Sequence, residues 1–313
     1  MQPASYHVES LGYAIRPLAQ NDKSEITMLE WLGKLASAPF INRPFFVVGG
    51  SRSGTIALLK AMGKHPRIFA TPSEDPFITD IGGMVYQLEF CSEVEMDYYR
   101  RTLRVSPDYI YQSLRRLALE SAIGRRYGFK QIMKSMLAGE LNPVTKRYWC
   151  TKTFPSETVA QGLMKLYPET RFIWILRNGI NVVHSRGKFP EFRHLPFEEH
   201  CHSWAESIMR FRYLFDLPQA VVVRHEEFVQ DPERVFRRVF EHIGVEYSHE
   251  PVEFALTHHV HPLDDLNTTR GIDVRRVLSE RSSPTREWTE TEKTVFKRIC
   301  GEAMAQAGYE LDF

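Results

Sequence analysis

Residues 45–55 read Phe-Phe-Val-Val-Gly-Gly-Ser-Arg-Ser-Gly-Thr, and this stretch decides the fold. Phe45-Phe46-Val47-Val48 is a short unbroken apolar run of β-branched and aromatic side chains, the pattern of a strand buried on both faces. Gly49 and Gly50 end it. Over residues 55–64, Ile56, Leu58, Leu59 and Met62 recur at helical spacing, and His65-Pro66 closes that helix because a residue before proline is pushed out of the α region. Strand, glycine-bearing loop and helix, in that order, make a cradle for phosphate. Glycine permits positive φ and close backbone approach, so successive N–H groups converge on anionic oxygens. The helix start adds its dipole and Arg52 a full charge, while the Ser53 and Thr55 hydroxyls add donors. The same glycine pair also suits an ordinary strand-to-helix turn, so the loop alone names no ligand.

Strand patterns return downstream at residues 148–151, 172–176 (Phe-Ile-Trp-Ile-Leu) and 220–224 (Ala-Val-Val-Val-Arg). Helical patterns separate them at 155–167, 197–215 and 232–243, and a last helix is predicted over 289–307. Such alternation predicts an α/β fold with a mainly parallel sheet covered by helices on both faces. Residues 76–141 are mostly helical in pattern and carry Phe77, Tyr86, Phe90, Tyr98, Tyr99, Tyr109 and Tyr111. They are expected to form a helical cap, residues 77–145, above the sheet's carboxyl edge, where ligands bind in such folds. Most of these aromatics are expected to be the cap's own core. The reading is therefore one domain over 44–313, with a lead-in over 1–43 that holds an amphipathic helix near 25–36.

A chain of 313 residues can bury a large core, and 43% hydrophobic with 25% charged residues is ordinary for a globular protein. Lys+Arg 40 against Asp+Glu 39 leaves a net charge of +1, so no whole-molecule field favours nucleic acid or a membrane surface. The basic stretch 234–238 reads as a solvated helix face. Cys91, Cys150, Cys201 and Cys300 form no CxxC pair, which argues against a zinc module and fits a reducing, cytoplasmic compartment. Glu9, Arg16, Asp22 and Lys23 precede any sustained apolar run, so neither a signal peptide nor a membrane span is read. His258-His259-Val260-His261 lacks the spacing of a ligand set, and no metal is expected.

The kind of phosphate chemistry follows from what the loop lacks. Gly49 and Gly54 are separated as in a Walker A loop, but Thr55 stands where its lysine belongs. The strand ending Ile175-Leu176 runs into Arg177 instead of a carboxylate that holds magnesium. A P-loop nucleotide kinase thus loses its lysine and its metal ligand. It is kept as the alternative enzyme, with a non-catalytic nucleotide-binding protein as the alternative outside enzymology.

Arg52-Ser53-Gly54-Thr55 resembles the 5′-phosphosulfate loop of the sulfotransferases that use 3′-phosphoadenosine 5′-phosphosulfate, roughly (K/R)(S/G)GT, and His65-Pro66 resembles the end of that family's following helix. Ile56 departs from the second Thr or Ser of many members, which removes one hydroxyl. Arg177 at a strand end, with Ser185 eight residues on, resembles the family's 3′-phosphate element, where an Arg clamps the dianion and a Ser adds a directional hydroxyl. Arg177-Asn178-Gly179 replaces the usual Arg-Asp-Pro, exchanging a rigid turn for a looser one. Residues 223–245 resemble the family's later strand, turn and helix and are read as architecture. Residues 282–288, Ser-Ser-Pro-Thr-Arg-Glu-Trp, resemble the loop that folds over the nucleotide, and also suit a plain helix cap. The resemblance spans residues 44–310 and implies a P-loop-NTPase-like sulfotransferase fold. It places the donor on Gly50, Ser51, Arg52, Ser53, Gly54, Thr55, Ile56, Arg177, Ser185, Ser282 and Arg286.

Sulfuryl transfer is in-line, and needs a base at the acceptor hydroxyl and cations at the bridging and sulfuryl oxygens. The resemblance carries the base to Glu74, in Thr71-Pro72-Ser73-Glu74-Asp75-Pro76-Phe77, where the prolines are expected to stiffen a loop at the sheet's edge. A helix cap at Pro76 is the bland reading of the same carboxylate, and His65 is the second candidate base. Lys152, in Thr151-Lys152-Thr153-Phe154-Pro155, resembles a Lys-Thr-Pro element with Phe154 inserted. Arg52 and then Lys152 are expected to stabilise the leaving group and sulfuryl oxygens. The expected acceptor is a hydroxyl, or an amine, of a small molecule or carbohydrate.

Overall fold

The structure, a computed structural model, describes residues 43–74, 76–91, 98, 101–102, 104–124, 146–260, 268–270, 284–311 and 313. Of these, 72–74, 120, 122–124, 259–260, 268–270, 284 and 286 are described by backbone alone. Its centre is a parallel sheet of strands β1 (Pro44–Val48), β2 (Ile68–Glu74), β3 (Tyr148–Lys152), β4 (Arg171–Leu176) and β5 (Ala220–Arg224). Their spatial order is β2-β3-β1-β4-β5. β1 is the middle strand, with Phe46 opposite Thr151 on one side and Phe172 on the other.

Side chains of a strand point alternately to its two faces, and here both faces are dry. Phe45, Val47, Cys150, Ile173, Ile175 and Val223 share a core with α1 (Thr55–Met62) and, later in the chain, the helices Pro232–Ile243 and Glu250–Thr257. Phe46, Val48, Trp149, Phe172, Trp174 and Leu176 share the other core with α2 (Pro76–Tyr86), α3 (Pro107–Gly124), α4 (Glu157–Leu166), α5 (Gly179–Lys188), α6 (Phe197–Phe211) and the C-terminal helix Glu290–Gln306. Burial on both sides is why these strands read as continuous apolar runs. A short antiparallel pair, His258–Val260 with Thr268–Arg270, lies outside the main sheet. His258 stacks on Phe254 with ring centroids 4.4 Å apart, a local contact, and His261 lies outside the described residues. Among the described residues no helix is long and apolar enough to cross a membrane.

Three expectations change. β2 occupies the stretch read as a proline-stiffened loop. It is an edge strand, where Pro72 forfeits no ladder bond that a central strand would need, and its register shifts between Ala70 and Glu74. The described helices of the 77–145 insertion are not only a cover above the carboxyl edge: Ile78, Ile81 and Val85 of α2, and Leu114, Ala118 and Leu119 of α3, belong to the sheet's own core, while the Thr79 and Thr153 hydroxyls meet at 2.7 Å just past the carboxyl end of β3. The aromatics of that region are not mostly core either. Tyr111 is buried, but Phe90, Tyr98 and Tyr109 are 56%, 55% and 64% exposed. Aliphatic side chains make up most of the inner stripes of α2 and α3, joined by Tyr111 and by Phe77, which packs against the same core. Tyr99 and the stretch 125–145 lie outside the described residues, as does the amphipathic helix near 25–36.

Candidate functional site

The chain leaves β1 toward β2 on one side and leaves β4 toward β5 on the other. The carboxyl ends of β1 and β4 therefore flank the topological switch point, the crevice where parallel α/β sheets take ligands. The loop 49–54 enters this crevice from β1, and Arg177 enters it from β4.

The loop is shaped by two left-handed residues, Arg52 at φ 66° and Gly54 at φ 91°. A left-handed non-glycine residue costs about 1–3 kcal/mol and persists only where its surroundings hold it. Here the Ser53 N–H bonds the Gly50 carbonyl at 3.3 Å, closing a turn around Arg52. Gly54 also meets close packing, since a β-carbon there would lie 2.5 Å from Cδ2 of His225. α1 starts at Thr55 with no side-chain cap, which leaves the positive end of its dipole to an anion. Ser53 and Thr55 are buried.

The second sequence element closes on the first. The Arg52 Nε donates to the Ser185 Oγ at 3.2 Å, joining residues 133 apart in sequence. The Arg177 Nη1 donates to the Arg52 carbonyl at 2.8 Å, across 125 residues. The Arg52 guanidinium also lies 4.3 Å over the Phe189 ring. Two guanidinium groups and a hydroxyl thus meet where loop and crevice join.

The turn after β4 is not loose. The Asn178 Oδ1 caps α5 by accepting from the Ile180 N–H at 2.9 Å, while the Asn178 N–H donates to Glu226 Oε1 at 3.0 Å. The Tyr309 hydroxyl donates to Glu226 Oε2 at 2.8 Å, and the Trp204 Nε1 to the Arg177 carbonyl at 3.2 Å. Burial, and then the Glu226 charge, push the Tyr309 phenol well above its ordinary range, so it stays a donor. An asparagine cap and three tertiary bonds replace the rigidity of a proline. Glu226, Tyr309 and Trp204 support the site, yet the sequence reading assigns Glu226 only to architecture and does not single out the other two. Nothing local marks them, because their partners lie far along the chain.

On the other side of β1, Glu74 and Lys152 are register partners at the carboxyl ends of β2 and β3. The Lys152 Nζ lies 4.4 Å over the Phe154 ring, and the Thr153 N–H donates to the Val47 carbonyl at 3.1 Å, tying this edge to β1. Glu74 is described by its backbone alone. Arg286, likewise, is placed by backbone in the 3₁₀ turn Pro284–Glu287; that turn docks on α5 through Glu287, whose carboxylate lies 2.8 Å from the Lys188 Nζ. Ser282 lies outside the described residues. Trp288 is buried against Phe197 and Phe296, a core residue and not a cover.

His65 is at the wrong end of the sheet to act as base. It sits between α1 and β2, at the amino edge. There its Nδ1 accepts from the Arg67 N–H at 3.0 Å and its Nε2 bonds the Glu246 carbonyl at 2.9 Å, which selects the neutral ring with the proton on Nε2. Burial lowers its pKa below the ordinary 6.5.

Residues 44–249 match a family model described as the sulfotransferase family, well over half of the 313 residues. The chain belongs to this family. This sulfotransferase also resembles solved structures at low identity. The sulfotransferase domain of the Synechococcus PCC 7002 olefin synthase is 16% identical, with a TM-score of 0.47, covering 86% of this chain and 96% of that one. The sulfotransferase domain from the curacin biosynthetic pathway is also 16% identical, with a TM-score of 0.46 and coverage of 86% and 98%. Mouse sulfotransferase SULT7A1, solved with PAP, is 14% identical, with a TM-score of 0.45 and coverage of 88% and 89%. No curated protein matches the sequence significantly.

Proposed function

We propose that this sulfotransferase moves a sulfuryl group from 3′-phosphoadenosine 5′-phosphosulfate to a hydroxyl of a small-molecule or carbohydrate acceptor. The observation that carries the reading is the closing of the two elements, with the Arg52 Nε on the Ser185 hydroxyl at 3.2 Å and the Arg177 Nη1 on the Arg52 carbonyl at 2.8 Å, beside an uncapped helix start. Two cationic elements meeting at one crevice suit a donor with two separated phosphates, where a mononucleotide triphosphate needs one cradle and a metal.

In this reading the backbone of Gly50–Ile56, numbered 50–56, holds the 5′-phosphosulfate, with the Ser53 and Thr55 hydroxyls as further donors. Arg177 and Ser185 hold the 3′-phosphate, and the segment carrying Ser282 and Arg286 adds to that grip. The acceptor oxygen attacks sulfur in line. As the new S–O bond forms, the bond from sulfur to the bridging phosphate oxygen breaks, and Glu74 takes the acceptor's proton. Arg52 and Lys152 stabilise the charge that gathers on the bridging and sulfuryl oxygens. The support for Glu74 is its position at a carboxyl strand end next to Lys152.

Glu74→Gln is expected to lower turnover by about a hundred- to ten-thousandfold while leaving the affinity for 3′-phosphoadenosine 5′-phosphate within twofold. Unchanged turnover removes Glu74 as the base. Calorimetric titration of the wild type completes the test: tight binding of the bisphosphate supports this donor, and tight binding of ATP with magnesium instead supports the kinase.

A further inference from the structure

The donor loop's arginine is held from a side that the proposed reaction does not use. Phe189 closes α5: its N–H donates to the Arg186 carbonyl at 3.1 Å, and its ring faces back toward the loop after β1, with the Arg52 guanidinium 4.3 Å above it. The ring is itself braced. Phe192 pairs with it at 5.6 Å between centroids, and the Arg186 guanidinium lies 4.3 Å over the far ring, Phe192. The connecting backbone is tied by bonds from the Phe192 and Arg193 N–H groups to the Phe189 carbonyl, at 2.9 and 2.8 Å. Arg186 is 6% exposed. The result is a ladder of cation, ring, ring and cation running from the donor loop into the protein.

An arginine side chain has several rotatable bonds, and freezing them costs about 1.5–2 kcal/mol. Arg52 has its Nε bonded to Ser185 and its guanidinium carbon 4.3 Å over the Phe189 ring, two contacts that restrict where the group can turn. A cation that must meet charge developing in a transition state works best when it is oriented beforehand.

We propose that Phe189 is a positioning residue for sulfuryl transfer: its ring, backed by Phe192 and Arg186, holds the Arg52 guanidinium in the plane that faces the transferring group. The inference rests on the reading that Arg52 contacts the donor, and its test separates the two. Phe189→Leu removes the ring face and keeps a side chain of similar bulk. It is expected to lower kcat about tenfold, with the KM for the donor moving less than threefold. Phe189→Tyr and Phe189→Trp retain a ring face and are expected to stay within threefold of wild-type kcat. In an Arg52→Ala background the Phe189→Leu change is expected to cost no more than twofold, since the group it orients is gone. Thermal melting of each variant confirms the fold, and Phe189→Met replaces Phe189→Leu should the latter fail to fold. Equal losses in the Leu and Tyr variants, or full losses in the Arg52→Ala background, overturn the proposal. Wild-type kcat and bisphosphate affinity in Arg52→Ala alone overturn the donor-site reading itself, a pattern distinct from either.

Discussion

The two edges of the sheet use their polar side chains in opposite ways. At the amino edge, Lys146 donates to the carbonyls of His65 and Ile68 at 3.2 and 2.9 Å, Thr170 donates to the Pro44 carbonyl at 2.9 Å, and His65 bridges Arg67 and Glu246. Each group closes a gap in the backbone's own hydrogen bonding, so the edge is finished without a ligand. At the carboxyl edge, Arg52 reaches Ser185 through its side chain and Arg177 reaches the Arg52 carbonyl. Holding two cationic residues at one crevice adds no attraction between them, and in the proposed reading it prepares a place for the donor's phosphates. One edge serves the fold, and the other is where the proposed donor binds.

That contrast can be broken by substitution. The largest effect is expected from Arg177→Ala, which should weaken binding of 3′-phosphoadenosine 5′-phosphate about a hundredfold by calorimetry, the loss of charge-assisted hydrogen bonds to phosphate. Its melting temperature should change little. Lys146→Met should do the reverse, costing about 2 kcal/mol of stability in denaturant unfolding because two buried carbonyls lose a charged donor. Its bisphosphate affinity should stay at the wild-type value; a loss matching that of Arg177→Ala would mean that the two edges are coupled.

The smallest effect concerns pH. Burial lowers the pKa of both His65 and His200 below 6.5 in the folded protein. Below pH 6.5 the unfolded chain takes up protons that the folded one refuses, so stability is full above that pH and falls as pH drops toward the folded values. Melting temperature should therefore decline from pH 7 to pH 5, and His65→Gln should make that decline shallower, leaving the share due to His200. An identical slope in wild type and variant would show that His65 is not a source of it.

The outcome at β2 shows where local reading stops. Ile68-Phe69-Ala70 is too short between Pro66 and Pro72 to stand out as a strand, and it forms one because β3 offers it an edge. His65 and Glu74 are nine positions apart along the chain, the second and first candidate bases of the sequence; the strand between them carries them to opposite ends of the sheet. Phe189 and Tyr309 carry no motif at all, and only their partners Arg52 and Glu226 connect them with the crevice.

The sequence by itself determined the strand–loop–helix at residues 45–55, the parallel α/β class, the absence of a Walker lysine and the Arg177–Ser185 element. These are legible because buried parallel strands are written as continuous apolar runs, and because a phosphate loop needs its glycines and cation within a few consecutive residues. The strand order, the closing of Arg52 on Ser185 and Arg177, the clamp of Glu226 and Tyr309, and the removal of His65 to the far edge were decided only in the tertiary structure. An apolar run states that a strand is buried, but not which strand lies beside it. Every one of these features depends on that choice of neighbour.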